Sequence, residues 1–144
     1  MQHFLKTPCR LILFLIIAGS SRGDWTLKNP APLLTRYEYI CFIDALTGWI
    51  AAQSGDIVHT KDGGATWTVQ KTNAYAGLSA VYFLDPDHGW AAGSGGHIYS
   101  TDDGGQHWHR QDTPLSTHLF DIFFIDTDRG WAVDGWIGCR VSRG

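Results

Sequence analysis

Aspartates and histidines are the side chains whose types and spacing could support chemistry in this chain. Asp44, Asp85 and Asp126 recur at one place in three similar segments, each just ahead of a turn cluster. Asp62 and Asp103 recur at a second place, inside the glycine turns TKDGG and TDDGG. A pair of carboxylates is what glycoside hydrolysis requires, one as acid and one as base or nucleophile. A carboxylate that repeats beside turn residues is better placed to accept hydrogen bonds from the backbone of its own turn. Asp62 and Asp103 are therefore expected to spend their lone pairs locally. His97, His107 and His109 suggest metal, but they lack an HExxH-type spacing, and antiparallel pairing sets His97 several residues from His107. They are expected to be solvated surface histidines. No catalytic residue, metal ligand or cofactor is predicted.

The elements that must carry these residues follow from an internal repeat. Trp49, Trp90 and Trp131 are 41 residues apart, and Trp67 precedes Trp108 by 41 again. Residues 39–70 and 80–111 align without gaps, with Phe, Asp, Gly and Trp in the same places, and a third copy begins at Asp121. In the second copy, Ala80 to Leu84 alternates like a strand and stops at a turn cluster containing Pro86, which removes a donor. Trp90 to Gly93, His97 to Thr101 and His107 to Gln111 make three further short strands between glycine turns. The small residues of the second strand suggest an inner position near an axis. Four strands in ~41 residues is the size of one β-propeller blade. The fold class is all-β, an incomplete propeller of four-stranded antiparallel blades.

The first residues differ from this body. Lys6 and Arg10 precede an apolar run, Leu11 to Ala18, and small residues follow it. Basic, apolar, small is the order of a secretory leader. Eight residues of helix span ~12 Å, far short of the ~30 Å of a bilayer core. Cleavage after Ser20 puts Ala18 and Ser20 at the two small-residue positions and cleavage after Gly23 is nearly as good; Ser20 stands where a lipid-bearing cysteine would be needed, so no stable membrane anchor is expected. The chain carries a net charge of -3, with eleven basic and fourteen acidic residues. Loss of Lys6 and Arg10 makes the body more acidic, against a nucleic-acid footprint. Export leads to an oxidising compartment, where Cys41 and Cys139 could pair, although their spacing does not demand it.

The third-to-fourth turn holds the sharpest motif: Thr60, Asp62, Gly64, Thr66 and Trp67 in one copy, and Thr101, Asp103, Gly105 and Trp108 in the next. It resembles the Asp-box hairpin of bacterial-neuraminidase-type repeats, with His107 where the pattern has a hydroxyl residue. The wider pattern, Phe-x-Asp, then Gly-Trp, then Ala-Ala or Ala-Val, a glycine turn and the Asp-box, is similar to the photosystem II stability/assembly factor-like repeats over about residues 24–137. That resemblance implies a β-propeller that binds or assembles proteins without catalysis. With the leader (1–20) set apart, the repeats divide the chain into an N-terminal segment (21–38), blade 1 (39–79), blade 2 (80–120) and a partial blade 3 (121–144). Trp25 lies 42 residues before Trp67 and resembles a lone fourth strand of the type that closes a ring. Two full repeats and a partial one fall short of the usual four to eight blades. A truncated member with open, self-associating sheet edges is expected.

The variable tips between shared Asp and Gly-Trp are the expected binding loops: Leu46 and Thr47, Asp87 and His88, Asp128 and Arg129. Trp136 breaks the repeat and is the remaining candidate contact residue. The alternative is a fragment of an Asp-box glycoside hydrolase, sialidase-like, or a carbohydrate-binding propeller. A sialidase needs an arginine cluster and a tyrosine with acids, and no such motif stands out.

Overall fold

The computed structural model describes residues 33–135 in full and residues 15–19 and 24–28 as backbone. The described chain is built of strands, with one short 3-10 turn at Ser94–Gly96. Strands β3 (Tyr37–Phe42), β4 (Gly48–Ala52), β5 (Ile57–Thr60) and β6 (Thr68–Gln70) form one four-stranded antiparallel sheet in sequence order. Strands β7 (Leu78–Phe83), β8 (Gly89–Gly93), β9 (Ile98–Thr101) and β10 (His109–Gln111) form a second sheet of the same order. Strands β11 (Leu119–Phe124) and β12 (Gly130–Asp134) start a third. These are meanders, joined by short turns, as the repeat pattern predicted.

The structure differs from the sequence expectation in several details, strand ends among them. The fourth strand of the second copy begins at His109 rather than His107, because the preceding turn holds its backbone through Trp108. The second strand is also not innermost. β3, β7 and β11 pack against one another from sheet to sheet, so the first strands form the inner edge. The small residues of β8 serve another purpose: Ala91 and Ala92 are fully buried, each against a different neighbouring sheet.

Ahead of the sheets, β1 (Leu15–Gly19) pairs antiparallel with β2 (Asp24–Lys28). β2 is the strand expected around Trp25, but it pairs with β1 in a separate hairpin. β1 lies inside the segment read as a leader.

The Phe-to-Gly-Trp signature explains how the sheets join. Phe42, Phe83 and Phe124 lie directly across from Gly48, Gly89 and Gly130. A Cβ on Gly89 would stand 2.5 Å from the Phe83 ring, and the other two pairs are equally close. Glycine thus lets the phenylalanine lie flat over its partner strand. The tryptophan one residue later points to the opposite face, toward the next sheet. Trp49 stacks on Phe83 at 3.6 Å between ring centroids and 6° between planes. Trp90 stacks on Phe124 at 3.8 Å and 8°. Such pairs contribute about 0.5–1.5 kcal/mol beyond their burial. Each joint is completed by aliphatic residues: Ala51, Ile57, Leu78 and Val81 in the first, Ala80, Ile98, Leu119 and Ile122 in the second.

Candidate functional site

The aspartate turns repeat almost atom for atom. Thr60 Oγ1 donates to Asp62 Oδ1 (2.8 Å) and accepts from the Gly64 N–H (2.9 Å). Thr101 makes the same two bonds to Asp103 Oδ1 (2.8 Å) and from the Gly105 N–H (2.9 Å). Asp62 Oδ1 accepts from the Thr66 N–H at 2.8 Å, and Asp103 Oδ1 from the His107 N–H at 2.9 Å. The second oxygens differ in partner but not in distance: Thr66 Oγ1 reaches Asp62 Oδ2 at 2.6 Å, and His107 Nδ1 reaches Asp103 Oδ2 at 2.6 Å. The imidazole therefore replaces the hydroxyl that the sequence pattern lacked. His107 is solvated, with 77% of its side chain exposed, yet it is also paired. Gly64 and Gly105 sit at φ +84° and +86°, a region open to glycine at little cost.

These bonds set the carboxylates' acidity. The Thr66 hydroxyl, with the Thr66 N–H and the Thr60 hydroxyl, holds Asp62 down at about 2. Burial works against ionisation of Asp103, but the N–H and ring of His107 and the Thr101 hydroxyl outweigh it and hold that carboxyl below the usual range. Asp62 thus stabilises the fold above its ordinary value near 3.8, and that contribution is lost as pH falls toward 2. Neither carboxyl resembles a general acid, which needs a raised value.

The other aspartates also serve turns. Asp44 Oδ1 accepts from the N–H groups of Leu46 and Thr47, both at 2.7 Å. Asp85 Oδ1 does so from Asp87 (2.9 Å) and His88 (2.7 Å), and Asp126 Oδ1 from Asp128 (3.0 Å) and Arg129 (2.7 Å). The tips gain a further tie where polar side chains allow: His88 Nδ1 lies 2.9 Å from Asp85 Oδ2, and Arg129 Nη2 2.6 Å from Asp126 Oδ2. The aspartate hairpins then brace these tips, through Gly63 N–H to Leu46 O and Gly104 N–H to Asp87 O, each 2.9 Å.

Tip and hairpin of the first two sheets enclose a cleft of about 880 Å³. Thr47, Lys61, Thr66 and Lys71 line one side, and Pro86, Asp87, Asp103 and Gln106 the other. Gln70 crosses its floor and donates to the Gly104 carbonyl at 2.8 Å. The structure thus brings Thr47 and Asp87 into one groove. Leu46 is exposed beside it, His88 is half-buried, and Asp128 and Arg129 belong to the third tip. Trp136 lies outside the described residues, as does Cys139. Cys41 is half-buried, and burial raises its thiol.

Sequence reasoning missed two features. His59 is a buried histidine stacked on Trp49 at 4.6 Å and 4°, and burial, with Lys61 nearby, pushes its pKa down to about 4. It lies directly opposite Trp49 in the strand register, a pairing that the sequence alone does not mark as buried. A second cleft, of about 330 Å³, gathers Arg36, Glu38, Gln53, Ser79 and His118 near the inner strands. There His118 bridges Ser79 (2.8 Å) and Ser94 (3.1 Å). A Ser-His nucleophile needs its imidazole oriented by a third group, commonly a carboxylate; here the second nitrogen meets another serine. Among the described residues, no three or more His, Cys, Asp or Glu gather as a metal site.

No family model and no curated protein matches the chain. Among solved structures, YCF48 from Cyanidioschyzon merolae is similar at 29% identity and a TM-score of 0.69, over 87% of this chain and 42% of that one. YCF48 bound to D1 peptide is similar at 24% identity and a TM-score of 0.62, over 71% of this chain and 34% of that one. An ancestral GH74 enzyme matches at 12% identity and a TM-score of 0.56, over 74% of this chain and 17% of that one, a likeness of fold alone. The chain spans less than half the length of either YCF48 structure. It is an open β-propeller segment, and it fits a YCF48-like family, in keeping with the resemblance read from its repeats.

Proposed function

We propose that this YCF48-like propeller segment is a non-catalytic module for protein binding or assembly, of the photosystem II stability/assembly factor type. The likeness to YCF48, including a structure with a D1 peptide bound, is the observation that carries this reading. The site geometry supports it. All five repeated aspartates are engaged by their own turns, and the first two tips meet at the cleft containing Thr47 and Asp87. Rigid scaffold with variable tips suits recognition.

The test is a titration of the chain with a D1 peptide as probe, run beside a saccharide array. Saturable peptide binding, weakened by Thr47→Arg or Asp87→Arg, is expected. Saccharide binding with no peptide binding would instead favour the glycoside hydrolase or carbohydrate-binding reading that the Asp-box resemblance leaves as the alternative.

Export to a periplasmic or extracellular space is part of the same proposal, supported by Lys6, Arg10 and the apolar run Leu11 to Ala18. Fusion of residues 1–23 to a reporter should send it out of the cytoplasm with cleavage near Ser20. Retention of an uncleaved reporter contradicts that part.

A further inference from the structure

The joint between the first two sheets contains a polar pair with no counterpart in the second joint. Its members are His59 on β5 and Gln70 on β6, both lining the cleft that holds Thr47 and Asp87. His59 is 7% exposed, and its ring is held by the stack on Trp49, which itself stacks on Phe83 of the next sheet. Gln70 Nε2 donates to the Gly104 carbonyl, on the aspartate hairpin of the second sheet, at 2.8 Å. A carbonyl only accepts, so this bond sets which way the amide points. The same Nε2 lies 3.5 Å from His59 Nδ1, so its second N–H faces a ring nitrogen that must accept. A neutral ring with its proton on Nε2 meets that need. His59 Nε2 and Gln70 Oε1 are both buried without a partner among the described residues. In the second repeat the matching residues are Ser100 and Gln111, and Gln111 Nε2 closes on Ser100 Oγ at 2.7 Å within one sheet.

We propose that His59 and Gln70 form a latch between the two walls of the cleft, closed while the imidazole is neutral and released when it takes up a proton. An imidazolium donates from both nitrogens. Nδ1–H would then oppose the Gln70 N–H, donor against donor, in a buried place where an unmet donor is costly. The nearest free acceptor on that amide is Oε1, the atom that has no partner in the neutral state. A half-turn of the amide brings Oε1 to Nδ1–H and sets it against the Gly104 carbonyl, so the tie to the second sheet is lost. Burial, and after it Lys61, push the His59 pKa down to about 4, which keeps the latch closed near neutrality. The other charged groups lining the cleft are engaged elsewhere or exposed. Lys71 is bound to Asp56, Asp103 to Thr101 and His107, and Asp87 is exposed on the far tip. That the cleft binds a partner rests on the reading above; the latch does not, and its test reads the chain alone.

Nitrogen-15 NMR of the full chain tests it, from neutral pH down through the His59 titration near 4. The Gln70 side-chain amide is assigned through Gln70→Ala. At neutral pH the His59 ring should carry its proton on Nε2. As His59 titrates, exchange of the Gln70 amide protons relative to those of Gln111 should rise about fivefold, the effect of losing one hydrogen bond. The spectrum should stay dispersed meanwhile, and reference to Gln111 removes the acid catalysis common to both amides. His59→Ser, which copies the residue of the second repeat, should hold the ratio flat. A His59 ring protonated on Nδ1 at neutral pH, a flat ratio in wild type, an equal rise in His59→Ser, or collapse of the whole spectrum together with the His59 titration would each overturn the proposal.

Discussion

The hairpins at Thr60–Trp67 and Thr101–Trp108 make the same backbone turn with different chemistry at one corner. In the first, a threonine hydroxyl closes on the aspartate; in the second, an imidazole does so at the same 2.6 Å. What the turn needs at that corner is a donor of suitable reach, not a hydroxyl as such. The hairpins differ more in what lies outside them. Trp108 sits in the joint between sheets, 9% exposed, with its edge on Phe83 at 5.9 Å and 88°. Trp67 meets Phe42 in the same edge-on way, at 6.3 Å and 87°, but is half-buried at the end of the array. The same backbone turn thus carries a tryptophan that is covered to different extents, according to whether a neighbouring sheet lies over it.

Truncation of the two tryptophans is the strongest way to break that comparison. Trp108→Ala should cost about 3–5 kcal/mol, within the range for large aromatic deletions in a core. Trp67→Ala should cost clearly less, and chemical denaturation of both variants checks the order. Gly105→Ala is next, at about 1–3 kcal/mol, because a non-glycine residue at φ +86° is strained. Its Cβ would also fall 2.2 Å from Gln70 Oε1, so Gln70→Ala in the same background should recover part of the loss.

Protonation gives a third test. His59 is held neutral by burial, with its pKa lowered from 6.5 to about 4. The unfolded chain therefore takes up the proton first, and stability should fall as pH drops from about 6.5 toward 4. The matching residue of the second repeat is Ser100, so His59→Ser should flatten that part of the stability profile. The smallest effect belongs to His107→Thr, which restores the hydroxyl and should leave stability within about 0.5 kcal/mol. His107→Ala, with no donor, should lower the melting temperature.

Much of this architecture was legible in the chain because the 41-residue repeat names the same residues at the same structural positions. The aspartate turns were readable for a local reason: every bond to Asp62 or Asp103 comes from within four residues. Inter-sheet contacts were less readable. The stack of Trp49 on Phe83 joins residues in different repeats, and only the assembled sheets show that Phe83 faces backward while Trp49 faces forward. His59 was hidden for the same reason, since sequence alone does not distinguish a histidine under an indole from one in water. Gln70 and Gln111 make the point within one repeat position. Gln70 reaches the next hairpin at Gly104, whereas Gln111 turns back to Ser100 on its own sheet at 2.7 Å.

The central claim is that the repeated aspartates are clasps for their own turns, with hydroxyl and imidazole serving as equivalent closures. A pair of double-mutant cycles on stability tests it most directly, one on Asp62 with Thr66 and one on Asp103 with His107. Each pair should show favourable coupling, of the same sign and comparable size in the two hairpins. Coupling in the first pair with none in the second, or none in either, would contradict the claim.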